Sequence, residues 1–247
     1  ALKPLAIEKG EPIACGPLTL WAADGLQQFD PVGGKLLSGA EYVESDARKG
    51  NTVYDGKQKR ASLTALKGEQ VDFQIMLETS AEPVEKILIS PGALAGAAGK
   101  LSSQHISVGR LWYLKVKDRW YPNAAPTLKP AEYLRVPAAD NAIEGQKLQA
   151  AYVSLFVPYD TAPGEYKGVL AIESSAGKAE LPVTLRVVPL TMPKHLNFEI
   201  ELNQYVDRQP LDACAVAGQS DRRDQRGSGA VQRLEAQPAE ELQALSV

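Results

Sequence analysis

Two glutamates, Glu199 and Glu201, stand two positions apart in an alternating run, Leu196 to Asn203. On a strand both carboxylates would face the same side. Two carboxyl groups facing one another can divide general acid and general base work between them. The chain carries thirty acidic residues, so such pairs arise freely, and a solvated strand face accounts for this one better. We therefore assign no catalytic residue. His105 and His195 are the only histidines; they lie in separate elements with no Cys or His at ligand spacing, so neither a metal site nor a cofactor is expected. Cys15 and Cys214 are far apart and supply neither a disulfide framework nor metal spacing. No Gly-x-Ser-x-Gly, P-loop or dinucleotide glycine pattern sits at a strand–helix junction. Gly92 to Gly99 is glycine-rich without the Lys-Ser/Thr of a phosphate loop, and reads as a flexible loop.

One aromatic cluster remains. Trp112, Tyr113, Trp120 and Tyr121 fall within ten residues. Flat rings stack on the apolar faces of sugars, which makes Trp112, Trp120 and Tyr121 the candidate carbohydrate-binding residues. The competing reading is packing: neighbours on a strand point to opposite faces, so Trp112 and Tyr113 cannot both be exposed, and at least one belongs to a core. Trp21 reads as core. Tyr166 reads as a ring packed on the body that anchors a turn.

The elements that must position these groups read as strands. Leu18 to Ala23, Arg60 to Leu66, Val71 to Leu77 and Val84 to Ser90 are apolar or alternating runs bounded by Gly, Pro or Asp-Gly signals. In Val71 to Leu77, Val71, Phe73, Ile75 and Leu77 should face one side, with Asp72 and Gln74 on the other. Residues 24–58 read as a surface excursion with one short strand near Asn51 to Tyr54. Residues 92–103 read as a loop, and Ile106 to Val116 as one long strand interrupted at Gly109-Arg110. Trp120-Tyr121-Pro122 begins an irregular stretch running to about Lys147. Ala151 to Val157 and Glu165 to Glu173 are strands joined by Pro158 to Gly164, where Pro163-Gly164 signals a tight turn. A last strand, Lys178 to Val188, is closed by Pro189 and Pro193.

Short strands without amphipathic helices before residue 195 predict an all-β antiparallel β-sandwich, immunoglobulin-like or jelly-roll-like, over residues 1–193. Its core would draw on Val71, Phe73, Ile75 and on Val183, Leu185, Val187. Residues 194–207 look like the first strand of a new domain. Residues 208–247 hold five arginines and no lysine, lack aromatics, and read as a non-native-looking, low-order tail, disordered or helical. A tail out of frame with the natural gene would account for that break, and reading the source DNA in its other frames tests the idea.

At 247 residues, 44% hydrophobic and 23% charged, the chain is ordinary globular material. A net charge of −3 offers no basic surplus for nucleic acid or an anionic membrane. No apolar run approaches the roughly 20 residues of a membrane helix. Beginning at Ala1, the chain is expected either to have lost a signal peptide, as in a secreted or periplasmic protein, or to have been cut from a longer one.

Four stretches in order carry a family resemblance: Leu20-Trp21-Ala22-Ala23-Asp24; Leu66 to Ile75, with Glu69 and Phe73-Gln74; Trp120-Tyr121-Pro122-Asn123; and Val157-Pro158 through Pro163-Gly164-Glu165-Tyr166-Lys167-Gly168, followed by Leu185-Arg186-Val187 and Met192-Pro193. Over residues 18–205 the chain resembles the N-terminal β-sandwich domain of large secreted bacterial glycoside hydrolases related to family 123, the β-N-acetylgalactosaminidase type. Relatives more often read Tyr-Pro-Asp where this chain has Asn123. The resemblance implies a (β/α)8 catalytic barrel after the sandwich, beginning near Leu196 to Tyr205 and missing from this chain. It also implies a neighbouring Asp-Glu pair in that barrel; no Asp-Glu dipeptide occurs here, so no catalytic residue carries over. The expected function is a non-catalytic accessory domain that packs on or positions the catalytic domain of the same gene, without hydrolase activity of its own. The alternatives are a carbohydrate-binding module using exposed aromatics, with a glycan as partner, and a structural or adhesion domain.

Overall fold

The computed structural model describes residues 8–37, 46–80, 82–129 and 132–195. All belong to one unit, Ala1–Asn197. Glu199, Glu201, Cys214, most of the expected second-domain start and the whole tail lie outside the described residues.

Alternation of β-branched or aromatic residues with polar ones suits a half-buried pleated surface, and it becomes strand here almost throughout. In chain order the strands are β1 (Ile13–Cys15), β2 (Leu18–Asp24), β3 (Tyr54–Asp55), β4 (Arg60–Lys67), β5 (Gln70–Thr79), β6 (Val84–Pro91), β7 (Leu94–Gly96) and β8 (Gly99–Leu101). A 3-10 turn at Ser103–His105 follows. Then come β9 (Ile106–Arg110), β10 (Trp112–Val116), β11 (Arg119–Ala124), β12 (Leu134–Val136), β13 (Leu148–Phe156), β14 (Gly164–Ser174) and β15 (Gly177–Thr191).

These strands form two layers. One sheet runs β1-β2-β5-β13-β9, antiparallel throughout. The other runs β12-β6-β14-β15-β4-β3, with the β7–β8 hairpin attached to β14. β10 and β11 pair only with each other. Phe73, Ile75 and Leu77 of the first sheet join Leu63, Leu181, Val183, Leu185 and Val187 of the second in one buried cluster. Each such side chain contributes roughly 1.5–3 kcal/mol relative to exposure. The all-β sandwich expected from the pattern is therefore the observed architecture. One pair departs from antiparallel order: β15 and β4 run parallel, with Val183 opposite Ala61 and Val187 opposite Ala65.

Four local expectations are corrected. Residues 92–103 are not a loop: β7 and β8 form a hairpin whose small residues let it lie against β14, Gly96 so closely that a Cβ would come within 2.0 Å of the Glu165 carbonyl. Ile106 to Val116 is two strands broken at Leu111, whose N–H donates to the Ala150 carbonyl and turns the chain out of the sheet. The stretch after Trp120 is ordered in part as β11 and β12. Pro189 does not end β15; the β4 register shifts between Val187 and Thr191, where the proline supplies no N–H.

The polar face of β5 is also covered. Gln74 is buried and its amide donates to the carbonyls of Asp24, Gly25 and Gln27. The chain after β2 folds back over that face, and Phe29 meets Trp21 edge-on at 5.1 Å. Trp21 is core, as expected, with no exposed surface.

Candidate functional site

The aromatic cluster lies on the β10–β11 hairpin, and its root is clamped. Asn141 brackets Tyr113 with two 2.9 Å hydrogen bonds, accepting from its N–H and donating to its carbonyl. The Tyr113 hydroxyl, deep in the core, accepts from the Ala150 N–H, and burial pushes its pKa well above the usual phenol range. Gln149, fully buried, donates to the Leu111 carbonyl at 2.8 Å and accepts from Gln146, which in turn accepts from the Ala138 N–H. Every polar group in that knot has a partner, which fixes the hairpin on the body.

Beyond the root the three candidate rings part company. Trp120 stands opposite Lys115, packs partly against the core and receives the ammonium over its ring at 5.8 Å. Tyr121, its neighbour, turns to the other face, opposite the exposed Leu114. Trp112 sits at the irregular end of the ladder, its ring covered by the Arg110 guanidinium at 5.1 Å. Arg110 is held by Asp140 at 2.7 Å, and that hydrogen bond keeps the Asp140 carboxyl below its ordinary pKa. The hairpin thus collects Trp112, Trp120 and Tyr121 but does not align them into one flat platform.

A cleft of about 690 Å³ opens elsewhere, between β4 and the adjoining ends of β2 and β5. Asp24, Ser62, Thr64, Glu69, Asp72 and Tyr152 line it. Tyr152 is pushed above its usual pKa first by burial, then by the Asp72 carboxylate that its hydroxyl bonds and by the charge of Asp24. Glu69 is turned to structural use, capping the Leu66 N–H at 2.6 Å at the end of β4. Reasoning from chemistry-bearing residues missed this cleft. Its signal was indirect: two of the four stretches that carry the resemblance, Leu20 to Asp24 and Leu66 to Ile75, meet in its wall.

The crossing from β13 to β14 passes from one sheet to the other. Tyr166 is buried and its hydroxyl donates to the Ala162 carbonyl at 2.7 Å, tying the crossing to the body as expected. The Glu165 carboxyl is held low chiefly by its hydrogen bond to Lys167. His105 packs beside Phe156, at 6.4 Å between ring centroids, far from any ligand set. Among the described residues no group of three His, Cys, Asp or Glu side chains could hold a metal, and no helix is long and apolar enough to cross a membrane. Cys15 is a buried free thiol.

Comparison with known proteins bears on this architecture. No curated protein matches the chain. Among solved structures it is similar to a family 123 glycoside hydrolase from Clostridium perfringens, with TM-score 0.41 and 15% identity over 55% of this chain and 24% of that one. It is also similar to the CooA pilin subunit of enterotoxigenic Escherichia coli, with TM-score 0.32 and 11% identity over 53% of this chain and 90% of that one. The chain spans about a quarter of the Clostridium hydrolase. The family model for the glycoside hydrolase 123 N-terminal domain matches residues 44–174, more than half of the chain, and the chain belongs to that family.

Proposed function

We propose that this chain is a non-catalytic accessory β-sandwich of an exported bacterial glycoside hydrolase 123-type protein, and that it positions a separate catalytic domain. The observation that carries the reading is the family match across the sandwich, residues 44–174. The substrates of the whole protein would be glycans bearing N-acetylhexosamine, in line with the resemblance and with the glycolipid glycan hydrolysis described for the Clostridium hydrolase. The test is turnover of aryl N-acetylhexosaminides. The chain alone is expected to show none, and the protein joining it to its catalytic domain to lose activity or thermal stability when the sandwich is removed. Turnover by the chain alone, or an unaffected catalytic domain, overturns the reading.

A second reading, a carbohydrate-binding module, is favoured by one observation: Trp112, Trp120 and Tyr121 share a hairpin whose outer face is partly open. Affinity electrophoresis against a glycan panel tests it. Retardation lost in Trp112→Ala or Tyr121→Ala supports it; Trp120→Ala is a poorer probe because that ring also packs on the core.

A further inference from the structure

Half of the large apolar side chains that the described residues expose lie at one end of the sandwich: Phe156, Tyr159, Leu190 and Met192. Phe156 and Tyr159 meet edge to face at 6.5 Å. Beneath Tyr159 is Gly68, at φ +76°, where a Cβ would fall 2.3 Å from the ring. Gly68 is itself pinned: its N–H donates to the Val157 carbonyl, and the Val157 N–H donates to the Glu69 carbonyl. The ring is thus seated against the Gly68 backbone, while 36% of its residue surface stays in solvent. An aromatic held on so rigid a base and still partly in solvent is prepared for a partner.

The course of the chain indicates which partner. β15 ends at Thr191, the Met192 N–H bonds the carbonyl of Lys67 next to Gly68, and the Lys194 ammonium lies 5.1 Å over the Tyr159 ring. The polypeptide therefore leaves the sandwich across this face. In an N-terminal domain, the domain that follows is reached from that exit. We propose that the face formed by Phe156, Tyr159, Leu190 and Met192 seats the catalytic domain, an inference that rests on the accessory-domain reading above. The hairpin β10–β11, with Leu114 and Val116 exposed on its own arm, remains free in the assembly.

Hydroxyl-radical footprinting of this chain and of the protein joining it to its catalytic domain tests the proposal. Oxidation of Tyr159 and Met192 should fall about fivefold in the joined protein, with Trp112 and Tyr121 unchanged. Leu190→Asp, on a side chain 59% exposed, should leave the melting temperature of this chain unchanged and restore oxidation of Tyr159 and Met192 in the joined protein. Protection of Trp112 and Tyr121 instead overturns this face but leaves the accessory reading standing. No protection anywhere also overturns it, and if removal of the sandwich then leaves hydrolysis and stability unaltered, the accessory reading falls as well.

Discussion

Two aromatic surfaces of this sandwich look alike in composition and differ in what lies beneath the rings. On the β10–β11 hairpin, Tyr113 is sunk into the core, Trp120 rests partly on it, and Trp112 is covered by Arg110. At the β13–β14 crossing the division is cleaner: Tyr166 is buried and hydrogen-bonded, and Tyr159, seven residues earlier, lies outward on a glycine, exposed although the Lys194 ammonium also stands over its ring. In the hairpin most rings hold the arm to the body. In the crossing one tyrosine does the holding and the other is displayed. Aromatic density alone thus says little about binding; the support under each ring says more.

The largest expected effect tests the holding half of the crossing. Tyr166→Ala removes a fully buried ring and should cost about 3–5 kcal/mol, as for other large-to-small core substitutions. Tyr166→Phe isolates the hydroxyl bond to Ala162 and should cost about 1 kcal/mol. Urea denaturation of both variants checks the ratio. Equal, small losses would mean that the crossing is not tied through this ring.

Next comes the root of the hairpin. Gln149→Leu takes the side-chain donor from the Leu111 carbonyl and leaves the Gln146 amide with the Leu148 carbonyl alone, at a cost of about 1–3 kcal/mol for unmet buried groups. Amide exchange should rise first in Leu111 to Tyr113. If it rises evenly over the sandwich, the knot serves the core rather than the arm, and the contrast between the two surfaces weakens.

Gly68→Ala probes the displayed half. The left-handed backbone at Gly68 and the collision with Tyr159 together should cost about 1–2 kcal/mol. Part of this should vanish when Tyr159 is already Ala, since only the backbone strain remains. A double-mutant cycle with no coupling would detach Tyr159 from its base.

The strands were legible wherever alternation was strong: β2, β4, β5 and β6 lie within a few residues of the boundaries their patterns predict. The β7–β8 hairpin was hidden because Gly and Ala replace the side chains that make alternation visible, and small size is what its close approach to β14 requires. The burial of Gln74 was hidden for another reason. Period two puts it on the polar face, but a local pattern cannot tell that a distant loop will bring three carbonyls to that face. The candidate surfaces divide in the same way. The aromatic hairpin was visible as a cluster of letters. The cleft beside Tyr152 and the seat of Tyr159 depend on pairings between residues up to 128 positions apart, such as Asp24 with Tyr152, and Gly68 with Tyr159.

The smallest effect concerns the cover over Trp112. Arg110 bonds Asp140, whose carboxyl is 55% exposed, so the pair should contribute no more than about 0.2–1 kcal/mol. The folded-state pKa of Asp140 is lowered, so that contribution is fully present above the unfolded value of about 3.9 and is lost as pH falls through the lower folded value. Stability of the chain and of Asp140→Asn should therefore differ at pH 7 and converge toward pH 3, and the gap at pH 7 should shrink in 1 M salt. Carboxylates common to both proteins cancel in the difference, which leaves Asp140 as the source of the convergence. If loosening Arg110 also exposes Trp112, its fluorescence should shift to the red in the variant at pH 7. An unshifted spectrum would mean that Arg110 stays over the ring without its carboxylate, and that the cover on the hairpin is set by stacking rather than by the ion pair.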